Sequence, residues 1–421
     1  MKRIQHKSLS KDQTPPGEVL ILATLAAIQF THIVDFMIMM PLGPQFIRLF
    51  NISPSEFGLL VSCYTFSAAI SGFLGAFFLD RFDRRSSLLF LYGGLIMGTA
   101  WCAVAQGYAM LAFGRIIAGA FGGMLTAVTF SIIGDVIPEH RRGAASGTVM
   151  ASFSIASIAG VPFGLYLANH FSNWHAPFIF LVGICCITWW FARKYTPPIK
   201  QHLDKDANHH QGAIASVWES LKDPNHQRAL AMSACTVFGG FAVIPYISPY
   251  MVGNVGLTDA QLPLIYFFGG ALTMFTSRWI GKLADRYGKP KMFLIVNLCA
   301  LPTIFALTNL PRVHLTLALI VTTVFMVAIS GRMVPAVSMI TSAAQPHLRG
   351  SFMSLNSSLQ QLFSGSAAFI AGHMIAKASD GSLLYYDLVG WVSIGSIAVS
   401  LILSRFVRIA IPTHQGKSRP A

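Results

Sequence analysis

Long apolar runs separated by short polar breaks cover almost the whole chain of 421 residues. A helix that crosses the hydrocarbon core of a bilayer needs about 20 mostly apolar residues, and these runs are of that length. Treating each run as one helix predicts twelve spans, at 19–44, 56–79, 87–106, 109–135, 144–169, 174–193, 229–252, 260–281, 290–309, 313–340, 348–375 and 384–407. The pattern therefore predicts an all-α membrane protein with twelve transmembrane helices.

A polar stretch from Lys194 to Arg228 separates the first six spans from the last six. It divides the chain into an N-terminal six-helix bundle with its tail (1–193), a linker (194–228) and a C-terminal six-helix bundle with its tail (229–421). Apolar residues at helical spacing predict an amphipathic helix in the linker, lying on the membrane surface and bridging the two halves: Ile214, Val217, Trp218 and Leu221. A disordered linker is the alternative, and it fits 195–212 better.

The composition supports a membrane location. Apolar residues make up 54% of the chain, charged residues 11%, and the mean hydropathy is +0.58. Soluble domains carry about 25% charged residues. Twelve spans leave room only for short loops, so we expect no separate soluble catalytic domain and no enzyme activity.

The formal charge of +14 suggests nucleic acid at first, but the positions of the basic residues favour membrane topology instead. No dense basic arm is interleaved with aromatic residues, so we expect no nucleic-acid partner. If both termini are cytoplasmic, 25 of the 30 Lys and Arg residues fall on the cytoplasmic side. That asymmetry predicts a multi-pass plasma membrane protein, in a bacterium the inner membrane, with both termini inside.

Two loop sequences occur once in each half. The segment Leu79–Arg85 after span 2 is repeated as Ala284–Lys291 after span 8, and Pro138–Gly143 after span 4 is repeated as Gln345–Gly350 after span 10. The two offsets are nearly equal, which indicates duplication of a six-helix unit. Parallel repeats of this kind form two bundles related by a pseudo-two-fold axis along the membrane normal, with a substrate site between them at the midplane.

The repeated loops resemble the major facilitator superfamily, whose hallmark loop has the form G-x-x-x-D-R-x-G-R-K. Gly281–Lys289 follows it closely, whereas Ala76 and Asp83 stand at the two glycine positions of the first copy. The resemblance covers nearly the whole chain and implies a cytoplasmic latch between helices, formed by Asp80, Arg81, Arg84, Arg85, Asp285, Arg286 and Lys289. A charged turn that only fixes topology is the alternative.

Three further segments are similar to the drug:proton antiporter branch of that superfamily. Asp35–Pro44 resembles its acid followed by P-x-x-P, and Leu111–Gly119 resembles its arginine-bearing motif. Gly160–Gly164 resembles its glycine-rich motif in span 5, with Val161 where the branch places glycine directly before proline. The resemblance implies proton-coupled export.

Asp35 is the one acid placed well inside a predicted span. A carboxylate there costs roughly 2.5–3.5 kcal/mol on insertion scales, so it is expected to face a cavity or a partner. We predict that it carries the coupled proton; a permanent pair with an arginine that locks two helices is the alternative. His32 and Gln29 share its helical face. His32 relays protons in one interpretation and is only a hydrogen-bonded polar contact in the other.

Arg115 in span 4 is the predicted counter-charge of Asp35, since both lie in the outer half of the membrane. For Arg332 in span 10 we favour a pair near the cytoplasmic gate over contact with an anionic substrate. Polar and aromatic residues on several spans predict a mixed cavity for the substrate, lined by Gln29, Phe36, Met39, Tyr246, Tyr250, Asn356 and Gln360. Ser364 continues the polar stripe of Asn356 and Gln360 by a further step of four.

These features predict a proton-coupled secondary transporter that exports a small organic compound or drug by alternating access. A symporter or uniporter that imports a sugar, osmolyte or organic anion is the alternative, and a non-transporting membrane sensor is a further one. No phosphate-binding glycine loop and no metal-ligand spacing among the six cysteines occur in the sequence, so we expect neither metal nor cofactor. The expected partners are the substrate, protons and the lipid bilayer, and the expected functional state is a monomer.

Overall fold

The computed structural model describes residues 16–199, 212–345 and 348–408, and its helices follow the predicted apolar runs. The helices are α1 Pro16–Met37, α2 Gly43–Leu49, α3 Pro54–Phe78, α4 Arg84–Ala103, α5 Tyr108–Val136, α6 Arg142–Ile155, α7 Val161–His170, α8 Ala176–Tyr195, α9 Gly212–Lys222, α10 Pro224–Phe241, α11 Ile247–Tyr250, α12 Leu262–Tyr287, α13 Lys289–Thr308, α14 Leu315–Gly331, α15 Met333–Ala343, α16 Arg349–Met374 and α17 Tyr386–Ser404. Two short strands, β1 Ala376–Lys377 and β2 Leu383–Leu384, pair antiparallel between α16 and α17.

The predicted twelve-helix architecture is confirmed. Ten helical segments of the described residues are long and apolar enough to cross a membrane. The other two predicted spans are α12 and α16, which have 26 residues each but a more polar composition. Both are therefore long enough to cross, and their polarity indicates that part of each faces something other than lipid.

Several predicted spans are interrupted rather than continuous, and prolines explain the interruptions. The span predicted at 19–44 ends as a helix at Met37, and α2 begins after a turn that contains Pro41. In span 10, Pro335 has no N–H to donate to the carbonyl of Gly331, and the helix breaks between α14 and α15 at that point. A break in a transmembrane helix frees backbone groups, which are tolerated where they line a cavity or contact protein.

The two halves meet most tightly at one end of the bundle. We call it the loop end, because it lies opposite the tail end, where α1 begins and α17 ends. The largest buried apolar cluster lies at the loop end and takes residues from both halves, including Phe57 and Tyr246. Gly58 allows this approach, because a Cβ there would lie 2.3 Å from Tyr246 Oη and 2.7 Å from the carbonyl oxygen of Ala368.

Polar contacts also join the halves at the loop end. Arg48 pairs with Asp259 of the other half, and Asn169 Nδ2 donates to the carbonyl oxygen of Asp259 at 2.9 Å. Further into the bundle, the Ser62 hydroxyl lies 2.7 Å from the carbonyl oxygen of Gly365. In this conformation the halves are therefore closed at the loop end.

At the tail end the linker contacts both halves of the protein. Asp83 caps α4, and its carboxylate accepts from the backbone N–H of Ile199 at 2.6 Å. Partial burial raises the pKa of Asp83, but hydrogen bonds from Ile199 and Ser86 outweigh it and hold the pKa below its usual value. The predicted amphipathic helix is present as α9, where Val217 is buried and Trp218 is exposed. Both tails, most of the segment 195–212 and the side chain of Asp80 lie outside the described residues.

Candidate functional site

An ion pair lies completely buried inside the N-terminal half. Arg115 Nη1 on α5 donates to Asp35 Oδ2 on α1 at 2.9 Å, and it also donates to the carbonyl oxygen of Asp35 at 3.1 Å. Thr99 Oγ1 on α4 donates to Asp35 Oδ1 at 2.9 Å. The side chains of Asp35 and Arg115 are 0% and 1% exposed. The predicted approach of these two residues is thus present in the structure.

The environment of this pair is aromatic and partly unsatisfied. The guanidinium of Arg115 lies over the ring of Tyr64, 4.5 Å from its centroid. His32 lies on the other side of Tyr64, with ring centroids 6.5 Å apart. Neither ring nitrogen of His32 has a hydrogen-bond partner among the described residues, and the Tyr64 hydroxyl has none either. Protonation of the pair would therefore occur beside groups that can still accept or donate a hydrogen bond.

A cavity of about 390 Å³ lies between the two halves. Its volume is in the range of small-molecule sites, about 300–1,000 Å³. Aromatic, Met, hydroxyl and amide side chains line most of it, and the residues that contribute the polar groups are Ser154, Ser157, Thr236, Tyr266, Thr273, Ser330, Ser357, Gln360, Gln361 and Ser364. Among the described residues that line the cavity, none is acidic and Arg332 is the one that carries a charge.

Phe36 connects the cavity with the buried ion pair. Its ring lines the cavity, lies 5.2 Å from that of Tyr64 in the same half and 6.1 Å from that of Phe241 in the other half. Tyr64 in turn contacts Arg115. An occupant that moves Phe36 would therefore press on the ring that supports the guanidinium of the pair.

The surroundings of Arg332 differ from the prediction, which placed this residue in an ion pair near the cytoplasmic gate. It lies at the break between α14 and α15, is 1% exposed and faces the cavity. Its Nη2 donates to the carbonyl oxygen of Thr236 at 2.8 Å, whereas Nε and Nη1 have no partner among the described residues. The expected acid is absent from its described surroundings because the nearby helices contribute only apolar and neutral polar side chains to this wall.

The predicted substrate residues divide into two groups. Phe36 and Gln360 line the cavity, and Gln360 Nε2 also donates to Ser233 Oγ at 2.9 Å. Five others, Gln29, Met39, Tyr246, Tyr250 and Asn356, are buried outside its lining. Substrate contact by these five stays a prediction for another conformation.

Three of the five residues outside the lining have structural contacts instead. Tyr246 Oη donates to the carbonyl oxygen of Ala368 at 2.8 Å, and Tyr250 Oη donates to that of Leu310 at 3.0 Å. Gln29 Nε2 donates to Thr126 Oγ1 at 3.2 Å. Helical spacing predicts that such residues face inward, but it does not distinguish a cavity wall from a helix–helix contact.

The described contacts of the predicted latch residues stay within one half. Arg84 Nε pairs with Asp135 at 3.2 Å, Arg85 donates to the carbonyl oxygen of Arg193, and Lys289 Nζ donates to Ser342 Oγ at 3.1 Å. These contacts join neighbouring helices of the same bundle at the tail end. The role of Asp80, Arg81, Arg84, Arg85, Asp285, Arg286 and Lys289 as a cytoplasmic latch between helices stays a prediction.

Sequence reasoning missed Tyr266 and Thr236 as cavity residues. Tyr266 Oη and Ser248 Oγ lie 2.8 Å apart, and Ser364 Oγ is buried in the cavity wall without a described partner. Ser364, the last residue of the predicted polar stripe, lines the cavity together with Gln360. Nothing in the sequence of α12 marks Tyr266 as different from its lipid-facing neighbours.

The sequence matches the Major Facilitator Superfamily over residues 25–369. YwfA of Bacillus subtilis, described as an uncharacterized MFS-type transporter, is 26% identical over 266 residues, which cover 62% of this chain and 62% of YwfA. The putative transporter AraJ of Escherichia coli K12 is 23% identical over 250 residues, 59% of this chain and 61% of AraJ. The chain thus spans about three fifths of the length of these two relatives. YceJ of Bacillus subtilis, another uncharacterized MFS-type transporter, is 22% identical over 90% of this chain and 93% of its own.

Solved transporters share the fold. A crystal structure of a D-xylose-proton symporter superposes with a TM-score of 0.72 and 17% identity, covering 93% of this chain and 98% of that one. A bacterial homologue of the human lysosomal transporter Spinster, inward-facing and unoccupied, superposes with a TM-score of 0.68 and 16% identity over 94% and 95% of the two chains. At these identities the likeness concerns the fold alone. The match over residues 25–369 shows that this chain belongs to the Major Facilitator Superfamily.

Proposed function

We propose that the protein is a proton-coupled secondary transporter that exports a small organic compound by alternating access. The observation that carries this proposal is the fully buried Asp35–Arg115 pair beside a cavity between the two halves. The resemblance of Asp35–Pro44 and Leu111–Gly119 to antiporter motifs supports export as the direction. In this proposal the loop end is closed and the cavity exchanges substrate through the tail end.

Asp35 is the proposed proton-binding group. Protonation would neutralise the carboxylate and remove the charge that holds the Arg115 guanidinium, so α1 and α5 would lose their strongest polar contact. The ring contacts from Arg115 through Tyr64 to Phe36 would pass that change to the cavity wall. Proton binding and substrate binding would then both act on the ring of Phe36. Coupling requires such a shared element.

His32 is the proposed relay between Asp35 and the tail end. Both residues lie on one face of α1, and both His32 ring nitrogens are free of described partners. Gln29 continues the same face toward the tail end, where its amide contacts Thr126. A relay needs groups that can change hydrogen-bond partners, and His32 meets that condition while the Asp35 carboxylate is paired.

The energy available is sufficient for export. One proton that moves down a membrane potential of 100 mV releases about 2.3 kcal/mol, which supports a substrate gradient of about fiftyfold. A single proton-binding carboxylate is therefore enough for useful efflux.

The test is transport by the full chain in proteoliposomes with an imposed pH gradient and a pH-sensitive dye inside. A panel of lipophilic cations, sugars and organic acids is screened for substrate-dependent proton movement, and the gradient is reversed to establish direction. Asp35→Asn should abolish coupled proton movement, while Asp35→Glu should keep part of it. Asp380→Asn, which changes an exposed acid at the loop end, is the matched control and should transport normally.

Full proton-driven transport by well-folded Asp35→Asn would refute the coupling role and leave Asp35 as a structural lock. Substrate flux that follows only its own gradient would favour a uniporter, and proton and substrate movement in the same direction would favour a symporter. Absence of flux for the whole panel would favour a sensor.

A further inference from the structure

The cavity between the two halves contains a buried arginine whose hydrogen-bonding capacity is mostly unused. A guanidinium carries five N–H groups, and on Arg332 only Nη2 has a described acceptor, the carbonyl oxygen of Thr236. The N–H groups on Nε and Nη1 have none. Buried charged groups in proteins are normally paired, so this one is missing a partner of opposite charge.

The protein does not supply that partner in the described structure. The described part of the cavity lining contains no acid, and Asp35, the acid buried in the neighbouring half, is already bound by Arg115 and Thr99. The cavity wall therefore carries one net positive charge within an otherwise neutral surface. A bound anion is the remaining source of compensation.

The position of the guanidinium is built into the backbone. A Cβ at Gly240 would lie 3.0 Å from Arg332 Nη2, so glycine leaves the space through which the side chain reaches the Thr236 carbonyl. The break between α14 and α15 places Arg332 itself at the end of a helical segment. Ser364 Oγ, also buried and without a described partner, adds a free hydroxyl to the same cavity.

The rest of the cavity selects against a compact, highly charged ion. Phe36, Phe153, Phe241, Phe325 and Met326 give it an apolar and aromatic wall. A single guanidinium matches a single negative charge, and arginine binds carboxylates with good geometry. The site thus suits a molecule with one carboxylate and an apolar body.

We infer that the substrate of this transporter is an amphipathic monocarboxylate, whose carboxylate binds the free N–H groups of Arg332 while its apolar part lies against Phe36 and Phe241. The inference rests on the proposed transport function and names its substrate class. It also changes the role predicted for Arg332, from a gate contact to a specificity-determining residue.

The test compares three ligands of one shape on the purified full chain by isothermal titration: 3-phenylpropionate, its neutral amide and 3-phenylpropylamine. The wild type should bind the acid at least tenfold more tightly than the amide and should bind the amine least. Arg332→Gln should lose the preference for the acid over the amide, and Arg332→Lys should keep part of it. Asp380→Asn should bind all three as the wild type does.

Equal binding of acid and amide by the wild type, or no measurable binding of the acid, would overturn the inference. So would an acid preference that survives in Arg332→Gln. If Arg332→Gln does not fold, the wild-type ranking and Arg332→Lys still decide it. Proton-driven flux is measured separately, so selective binding of the acid without coupled flux would refute the proposed transport function and leave the anion site standing.

Discussion

Two arginines are equally buried in the two halves of this protein, and their surroundings are opposite. Arg115 in the N-terminal half is held by a carboxylate and an aromatic ring. Arg332 in the C-terminal half is held by one backbone carbonyl and faces a cavity. Burial of a charge costs several kcal/mol unless a partner offsets it, so the same residue type has different consequences in the two places.

The difference indicates a division of labour between the halves. In the N-terminal half the charge is neutralised internally, and that arrangement suits a switch that a proton can open. In the C-terminal half the charge is left for an outside partner, and that arrangement suits recognition.

Removal of the carboxylate of Asp35 should have the largest effect on stability. Asp35→Asn leaves Arg115 buried without its counter-charge, which typically lowers the free energy of unfolding by about 3–5 kcal/mol. Thermal unfolding of the detergent-solubilised protein measures it. The double variant Asp35→Asn/Arg115→Gln should recover part of the loss, and equal losses in the single and double variants would contradict the pairing argument.

Replacement of Arg332 by an apolar residue of similar length should change the free energy of unfolding in the opposite direction. Arg332→Met removes an unpaired charge. The free energy of unfolding should therefore stay the same or rise by up to about 4 kcal/mol. The same unfolding measurement checks it. A loss as large as that of Asp35→Asn would show that Arg332 has a strong internal partner, and the comparison of the two arginines would fail.

Loss of the Asn169 side chain should weaken closure of the two halves at the loop end. Asn169→Ala removes a hydrogen bond between the halves, and a loss of about 1 kcal/mol shifts the balance toward the loop-end-open state about fivefold. Spin-label distances across the loop end report the populations. Asn309→Ala is the matched control, since the described hydrogen bonds of the Asn309 amide, to Phe305 and Thr308, lie within its own helix end. Equal shifts in the two variants would deny Asn169 a role in closure.

Asp83 should show the smallest effect, because it is a hydrogen-bonded acid at the bundle surface and outside both buried sites. Its pKa is lowered on folding, so its contribution is fully present above the unfolded value of 3.8 and is lost as the pH falls through the folded pKa. Asp83→Asn should therefore lower the unfolding temperature slightly at pH 7, and the difference from the wild type should vanish as the pH falls below the folded pKa. A difference that persists at the lower pH would point to lost packing instead of a lost charge.

The sequence predicted most of the fold because it depends on periodic and local signals. Twelve apolar runs, the repeated loops and the depths of Asp35 and Arg115 were sufficient for the architecture and for the buried pair. The breaks near Pro41 and Pro335 were missed because a run of apolar residues does not show where the helical hydrogen bonds are interrupted.

The cavity was harder to predict because it depends on what lies opposite each residue. Tyr246 has the spacing and chemistry of a cavity residue, yet its hydroxyl contacts the carbonyl of Ala368. Arg332 was expected to have an acidic partner, and the absence of one from its described surroundings is a property of packing alone. Inward-facing helix faces are readable from one sequence, whereas their opposing partners are not.

The polarity of α16 has a consequence for how the protein is made. A segment of this composition partitions weakly into the bilayer by itself, since Asn356, Gln360 and Ser364 need partners other than lipid. Its most extensive neighbour is α3, which belongs to the other half and is synthesised some 300 residues earlier. We therefore expect stable insertion of α16 to depend on α3, a helix of the other half that is already in place when α16 is synthesised.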